Sequence, residues 1–166
     1  MPQSGRLTFM VHMEKDNDNT PQKGDCFFRT ADTKLAVAMC TVGFQPHKSD
    51  PIVRRVNKNG VEELFFNLSC KSKDGLYDSG QAYKAWKQGT EYIEQNPDDH
   101  LAIAMCTLKN YTDILELVKR KKRLFEYDIG NMTIYVTEGS KKQQILEKKY
   151  APTREHQPKT IEYPKD

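Results

Sequence analysis

The chain has 166 residues, of which 37% are hydrophobic and 30% charged, and its formal net charge is +3. This length suits one domain with a substantial core, and the composition is that of a globular protein with a generous polar surface. No apolar run approaches the roughly 18 residues that a membrane span needs, and the N-terminus lacks the apolar segment of a signal peptide. We therefore expect no membrane association and a cytoplasmic location.

The first half of the chain predicts two strands, a helix and a β-hairpin. Residues 6–14 alternate between apolar and polar side chains, and residues 26–30 form a second short β-prone run. Thr30 as N-cap and Gly43 as terminator predict a helix between them, with Leu35 on its buried face. The Asn59–Gly60 pair, between two β-rich segments, predicts the turn of a hairpin.

The second half predicts two longer helices and another hairpin. A capping-box spacing begins a helix that runs to about Gln95. Asn96 as N-cap and Pro97 at the first helical position predict a second helix, which extends to about Lys121. A hairpin that turns at Gly130–Asn131 follows it.

The predicted fold is α+β. It comprises one domain over residues 1–150, in which two β-hairpins and the N-terminal strand form a small antiparallel sheet packed by three main helices. A short helix is predicted over residues 140–150, and residues 151–166, which contain three prolines, are predicted to form an extended C-terminal tail. If a tail of this kind is ordered, it packs on a surface, and a second copy of the chain would provide one, so we expect a homo-oligomer.

Two heptads of the chain are nearly identical. LAVAMCT at residues 35–41 and LAIAMCT at residues 101–107 match at six of seven positions, and each is followed by a predicted hairpin. The alignment also places Asp32 opposite Asp98 and Thr30 opposite Asn96. Two interpretations stay open, an internal helix–hairpin duplication and convergence on alanine-rich helix packing. In both of them the leucines and methionines belong to the core.

Catalytic and metal-binding motifs are absent from the sequence. The four cysteines are widely spaced without a C-x-x-C pair, and Cys40 and Cys106 lie in apolar helical patterns, where we expect buried thiols. There is no Walker loop, dinucleotide fingerprint, hydrolase elbow or zinc-binding helix. Asp113 and Glu116 lie one helical turn apart, and we expect them on an exposed face. The sequence therefore favours a binding protein over an enzyme, with no cofactor and no metal.

Positive charge is concentrated at the C-terminal end. Residues 119–166 hold 12 Lys/Arg against 7 Asp/Glu, a net +5, whereas residues 1–118 hold 14 against 16, a net −2. The densest part is the KRKKR run at residues 119–123, interpreted as a solvated helix end whose cations complement the helix dipole. Contact with phosphates or with an acidic protein is the alternative. A single run of this length is a small footprint for nucleic acid, which we do not expect as a partner.

The stretch over residues 27–44 resembles the opening of a small uncharacterised domain family found in bacterial and phage genomes. The shared pattern is an aromatic residue, then Thr, Asp, Leu-Ala and a closing Gly, followed by β-strands. The resemblance implies a strand–helix–hairpin start and a phage or mobile-element origin, and it brings no activity with it. The residues that carry it are Phe28, Thr30, Asp32, Leu35, Ala36 and Gly43.

The predicted function is non-catalytic binding of a small phosphorylated or nucleotide-like ligand. Such ligands favour helix N-termini combined with Arg or Lys and an aromatic ring. The ligand would be sequestered in a pocket between subunits, as an anti-defence sponge in the host cytoplasm if the chain is phage-encoded. The alternative is an inhibitor or adaptor that contacts a host protein through the basic C-terminal region. Neighbouring strand residues face opposite sides, so only one of the arginines at positions 54 and 55 lines a given pocket. The candidate residues are Arg29, Thr30, Arg54, Arg55, Lys119, Arg120 and Arg123.

Overall fold

The computed structural model describes residues 26–156, so the strand predicted over residues 6–14 and residues 157–166 of the tail lie outside the described residues. The chain divides into two compact units, Met1–Lys87 and Gln88–Asp166, and each is described by itself. The single domain predicted over residues 1–150 stays a prediction.

The first unit is a three-stranded antiparallel sheet with two helices. In chain order the elements are β1 (Phe27–Thr30), α1 (Thr33–Thr41), β2 (Ile52–Val56), β3 (Glu62–Ser69) and α2 (Ser79–Gln88). The strand order in the sheet is β1-β3-β2, with β3 in the centre. The strand–helix–hairpin order predicted for this segment is therefore present.

The second unit contains three helices and a second three-stranded antiparallel sheet. In chain order the elements are α3 (Thr90–Gln95), α4 (His100–Arg120), β4 (Leu124–Ile129), β5 (Met132–Thr137), α5 (Lys141–Lys149) and β6 (Arg154–His156). The strand order in this sheet is β5-β4-β6. The hairpin between β4 and β5 turns at Gly130–Asn131, as predicted. The start of the predicted tail forms β6 against β4.

The α+β class is confirmed, but the strands form two sheets rather than the single sheet that the sequence predicts. The reason is that each hairpin pairs with a third strand from its own part of the chain, β1 before the first hairpin and β6 after the second. Within residues 26–156, no helix is long and apolar enough to cross a membrane.

Both predicted N-caps of the heptad helices are wrong. Asp32 caps α1, because its carboxylate accepts from two first-turn amides at 2.9 and 3.1 Å, and Thr30 Oγ1 instead accepts from the Asp32 amide. Asp99 caps α4 by accepting from a first-turn amide at 3.2 Å, whereas Asn96 lies at the C-terminus of α3. A carboxylate adds charge complementation of the helix dipole to the capping hydrogen bond, which favours aspartate over the neighbouring candidates.

The helix predicted to run unbroken to Gln95 is interrupted at Gly89. This glycine has φ of +62°, which ends α2 at Gln88 and allows α3 to begin at Thr90. The left-handed region is accessible to glycine without a steric penalty, so the break follows from the residue type.

The two heptads have nearly the same burial pattern. In each, the leucine, both alanines and the methionine are buried, whereas the β-branched third residue is exposed. The closing threonines also match, since Thr41 donates to the Val37 carbonyl at 2.8 Å and Thr107 to the Ile103 carbonyl at 2.9 Å.

The cysteines and caps of the two heptads differ. Cys106 is buried as expected, but Cys40 is exposed, which corrects the prediction of a buried thiol. The cap Asp32 lies three residues before its heptad, whereas Asp99 lies two residues before the second one. The equivalence therefore covers the heptads and the following hairpins but not the helix starts, and a duplication stays a prediction.

Candidate anion-binding site

One face of the first sheet collects two arginines and two phenylalanines. The register sets Arg29 opposite Asn67, and Arg55 opposite Glu63, on the two sides of β3. Directly opposite residues share a face, and alternate residues of one strand do as well. We call this surface the arginine face, and it comprises Phe27, Arg29, Val53, Arg55, Glu63, Phe65 and Asn67.

The guanidinium of Arg29 is held in a defined orientation. Its Nε donates to Asn67 Oδ1 at 2.8 Å, and Asn67 Nδ2 donates in turn to the Asp50 carbonyl at 2.8 Å. Asn67 is 2% exposed, so this amide is a fixed anchor. The Cζ atom of Arg29 also lies 5.2 Å from the centroid of the Phe27 ring. Among the described residues no acceptor faces the two terminal amino groups of Arg29.

The two arginines of this face, which we call the cationic pair, lie on opposite sides of β3, opposite residues four positions apart. Burial lowers the pKa of Arg29, and the charge of Arg55 lowers it further. Arg29 stays protonated, because an arginine does not lose its proton in a protein near neutral pH. In the part of the chain that the structure describes, no carboxylate forms an ion pair with either of them. The one carboxylate of the arginine face, Glu63, lies opposite Arg55 in the register, and its Oε1 accepts from Asn57 Nδ2 at 3.3 Å. A bound anion would add to the compensation of the two positive charges.

Aromatic rings flank the cationic pair. Phe65 lies on β3 between the residues opposite Arg55 and Arg29, and it is half-buried. The ring of His47 packs against Phe27 at 5.4 Å between centroids, beside Arg29. Guanidinium groups bind phosphate oxygens in pairs, and flat apolar rings stack on nucleobases. The arrangement therefore suits a ligand that carries both a phosphate and a planar ring.

The other two candidates of this unit lie elsewhere. Arg54 points to the opposite face of β2, where its Nη1 lies 3.7 Å from the Glu62 carboxylate. Thr30 follows Arg29 by one residue and also belongs to the opposite face. Of the four candidates in the first unit, the fold thus places Arg29 and Arg55 on the same face of the sheet.

The basic-run candidates lie at the C-terminal end of α4 in the second unit. Arg120 pairs with Glu116 at 3.0 Å, and Arg123 pairs with Glu138 at 3.3 Å. Lys119 is exposed and forms no ion pair with any described residue. This is the arrangement expected of a helix end whose charges are partly balanced within the chain.

A polar side chain of α4 forms hydrogen bonds with the edge strand β5 of the second sheet. The Asn110 amide donates to the Thr133 carbonyl and accepts from the Tyr135 amide, each at 2.8 Å. It thereby occupies backbone groups of β5 that a further strand would otherwise pair with. Asn110 fixes α4 along the edge of this sheet.

One helical turn away, a group of ionisable side chains joins three helices. Asp113 is 5% exposed and lies 3.3 Å from Lys142 Nζ of α5, so the exposed position expected for it is wrong. Lys109 donates to Thr90 Oγ1 of α3 at 3.0 Å. Burial, followed by the charge of Lys142, lowers the pKa of Lys109 to about 8. Asp113 pairs with Lys142, and Lys109 donates to Thr90, so each group has a partner within the second unit, and we assign them a structural role.

Comparisons with family models, with curated proteins and with solved structures find no match to this chain. The resemblance of residues 27–44 to a bacterial and phage domain family therefore stays a prediction. Among the described residues, no group of three or more His, Cys, Asp or Glu side chains is placed to hold a metal ion.

Sequence reasoning missed Asn67, which orients Arg29. The available signal was an asparagine within the otherwise apolar run LFFNL, since a polar residue on a central strand is usually there to form specific hydrogen bonds. Phe65 was missed as well, because its place between the two arginines depends on strand pairing.

Proposed function

We propose that the chain is a non-catalytic binding protein whose arginine face binds a small phosphorylated or nucleotide-like ligand. The observation that carries the proposal is that Arg29 and Arg55 lie on one face of the sheet and that neither forms an ion pair with a carboxylate of the described residues. Charged hydrogen bonds between guanidinium and phosphate are among the strongest in proteins, and the anchored orientation of Arg29 reduces the entropy lost on binding.

The chemistry of the face defines the ligand class. A phosphate bridging the two guanidinium groups leaves an attached base or sugar over Phe65 or Phe27, where a planar ring stacks favourably. A protein that holds such a ligand without converting it acts as a sponge, and in a phage-encoded chain this role would be anti-defence. The proposal includes a homo-oligomer as the working form.

Arg54 and Arg55 provide a matched pair for the test, because they are neighbours on one strand and face opposite sides. We would titrate the full chain by calorimetry with nucleoside phosphates, cyclic dinucleotides, ADP-ribose derivatives and inorganic phosphate. Arg55→Ala is expected to weaken binding by about 10- to 100-fold, the loss of one charged hydrogen-bonding partner. Arg54→Ala is expected to bind as the wild type does.

Two results would overturn the proposal. One is the absence of binding heat across the panel with correctly folded protein. The other is an equal loss of affinity in Arg54→Ala and Arg55→Ala, which would indicate general attraction of anions rather than a site.

A further inference from the structure

The 21-residue helix α4 carries a second apolar face that is exposed along most of its length. Its inner face contributes buried residues such as Leu101, Met105 and Leu117 to the second unit. The outer residues form what we call the apolar stripe. Their exposed fractions are 45% for Ile103, 59% for Tyr111, 42% for Ile114, 39% for Leu115 and 67% for Val118.

Four of these five positions lie on one side of the helix. At about 100° per residue, Ile103, Tyr111, Ile114 and Val118 lie within an arc of about 80°, with Thr107 between them. Single exposed apolar residues are ordinary, whereas a continuous patch marks an interaction surface. The stripe exposes on the order of 400 Å² of side chain, which is within the range of functional patches on small proteins.

We infer that the apolar stripe is the contact surface of an antiparallel, two-fold symmetric dimer, with the stripe of a second copy as its occupant. When a second copy of the stripe is turned end to end, its apolar residues face those of the first copy. Antiparallel alignment sets Ile103 opposite Val118 of the second copy and leaves Tyr111 beside its own equivalent at the axis. Two-fold dimers require this kind of self-matching patch.

Charge at the two ends of α4 favours the antiparallel orientation. The N-terminal end carries Asp98 and Asp99, and the last turn carries Lys119 and Arg120 within the basic run. Antiparallel packing brings each acidic end against a basic end, and it aligns the two helix dipoles in opposite directions, which is favourable. Parallel packing would instead place one KRKKR run against the other. Two stripes together with these charged ends approach the lower size limit of a specific interface, about 1,000–1,200 Å² in total.

The test measures the mass of the ligand-free full chain by light scattering and sedimentation over a concentration series. We expect the wild type to be a dimer of 19.2 kDa chains. In the Val118→Glu variant we expect the dissociation constant of the dimer to rise by about 10-fold or more, because a carboxylate would be buried in the contact. Ile145→Glu on α5 is the matched control, since Ile145 is 66% exposed and Val118 is 67% exposed. It should dimerise as the wild type does, and circular dichroism should show both variants folded.

Orientation is tested by cross-linking. Oxidation of the Tyr111→Cys variant is expected to give a disulfide between the two 111 positions, mapped by mass spectrometry, and Ile145→Cys should give none at position 145. A monomeric wild type at ~100 µM would overturn the inference, and so would a dimer that survives Val118→Glu. A monomer is also the outcome if another segment or another protein covers the stripe. The experiment uses no ligand and no residue of the arginine face, so its failure leaves the calorimetric test of the proposed function intact.

Discussion

Asn67 and Lys109 illustrate how single polar residues determine the properties of each unit. Asn67 accepts from Arg29 and donates to the Asp50 carbonyl, so one buried amide links two strands and a loop while it orients the candidate ligand group. Lys109 is a partly buried amine that donates to a neutral hydroxyl rather than to a carboxylate. Asn67 orients the charged guanidinium of Arg29 at the surface. The partly buried position of Lys109 disfavours the charge of Lys109 itself.

Lys109 gives the second unit a specific dependence of stability on pH. Its folded pKa of about 8 lies below the ordinary value of 10.5, so between these values the unfolded chain holds a proton that the folded chain has released. The free energy of unfolding then rises with pH across that window, and below pH 8 the cost of burying the charge is fully present. We expect the wild type to gain about 1–3 kcal/mol relative to Lys109→Met between pH 8 and pH 10.5, after allowance for solvent screening.

Urea denaturation at a series of pH values measures this difference. Both proteins carry Cys106→Ala in this comparison, because burial raises the pKa of Cys106 and the charge of Lys109 lowers it, so that a substitution at Lys109 would otherwise change the Cys106 contribution as well. Lys148→Met, at an exposed position on α5, is the control and should follow the wild type at every pH. If the free energies of unfolding of the wild type and of Lys109→Met changed in parallel with pH, Lys109 would not be desolvated in the folded protein.

At the scale of elements, the two hairpin turns are stabilised differently. Gly130 has φ of +61°, and a β-carbon added there would lie 3.0 Å from the Cβ of Pro97. Gly60 has φ of +75° but faces open space. Both turns therefore need the backbone conformation that glycine adopts, but only at Gly130 would an added β-carbon contact another residue, Pro97.

Alanine substitutions at the two glycines test this contrast. Each is expected to lose about 1 kcal/mol or more from the left-handed backbone, and Gly130→Ala about 1–2 kcal/mol beyond Gly60→Ala because the Pro97 ring must move. The free energy of unfolding from urea titration is the measurement. Equal losses in the two variants would show that the second turn is not packed on Pro97.

Elements encoded by short-range signals were predicted from the sequence, and those set by distant pairing were not. The Gly130–Asn131 turn, the α5 helix and the buried faces of the heptads follow from local residue types. Helix starts were misplaced where several capping residues adjoin, as at Thr30 and Asp32. The partition into two sheets depends on β1 pairing with β3 and on β6 pairing with β4, and no local pattern specifies a partner strand.

The candidate site could likewise be predicted only as far as local residue patterns reach. Arg29 and Arg55 were candidates on residue type alone, and alternation along the strand correctly separated Arg55 from Arg54. That Arg29 shares the face of Arg55 requires the register of β1 and β2 on β3, which is a property of the folded sheet. Lys119, Arg120 and Arg123 were equal candidates in the sequence, and two of these three have carboxylate partners within the second unit.

At the scale of the whole molecule, the two compact units have different proposed roles. The first unit carries the arginine face and the proposed ligand, and the second carries the apolar stripe and the proposed dimer contact. The net charge of +3 is compatible with an anionic ligand, but the location of the cations rather than their total decides where it binds. The two proposals thus concern separate surfaces and are separately testable.

The most direct test of the arginine face is NMR titration of the 15N-labelled full chain with the tightest ligand of the calorimetric panel. Backbone amides report on every element at once, and arginine Nε–H signals report on individual guanidinium groups. We expect shifts at the Nε–H signals of Arg29 and Arg55 and at amides of β1, β2 and β3, with Arg54 unchanged. Shifts concentrated at Lys119–Arg123, with Arg29 and Arg55 unmoved, would contradict the account and favour a contact through the basic C-terminal region.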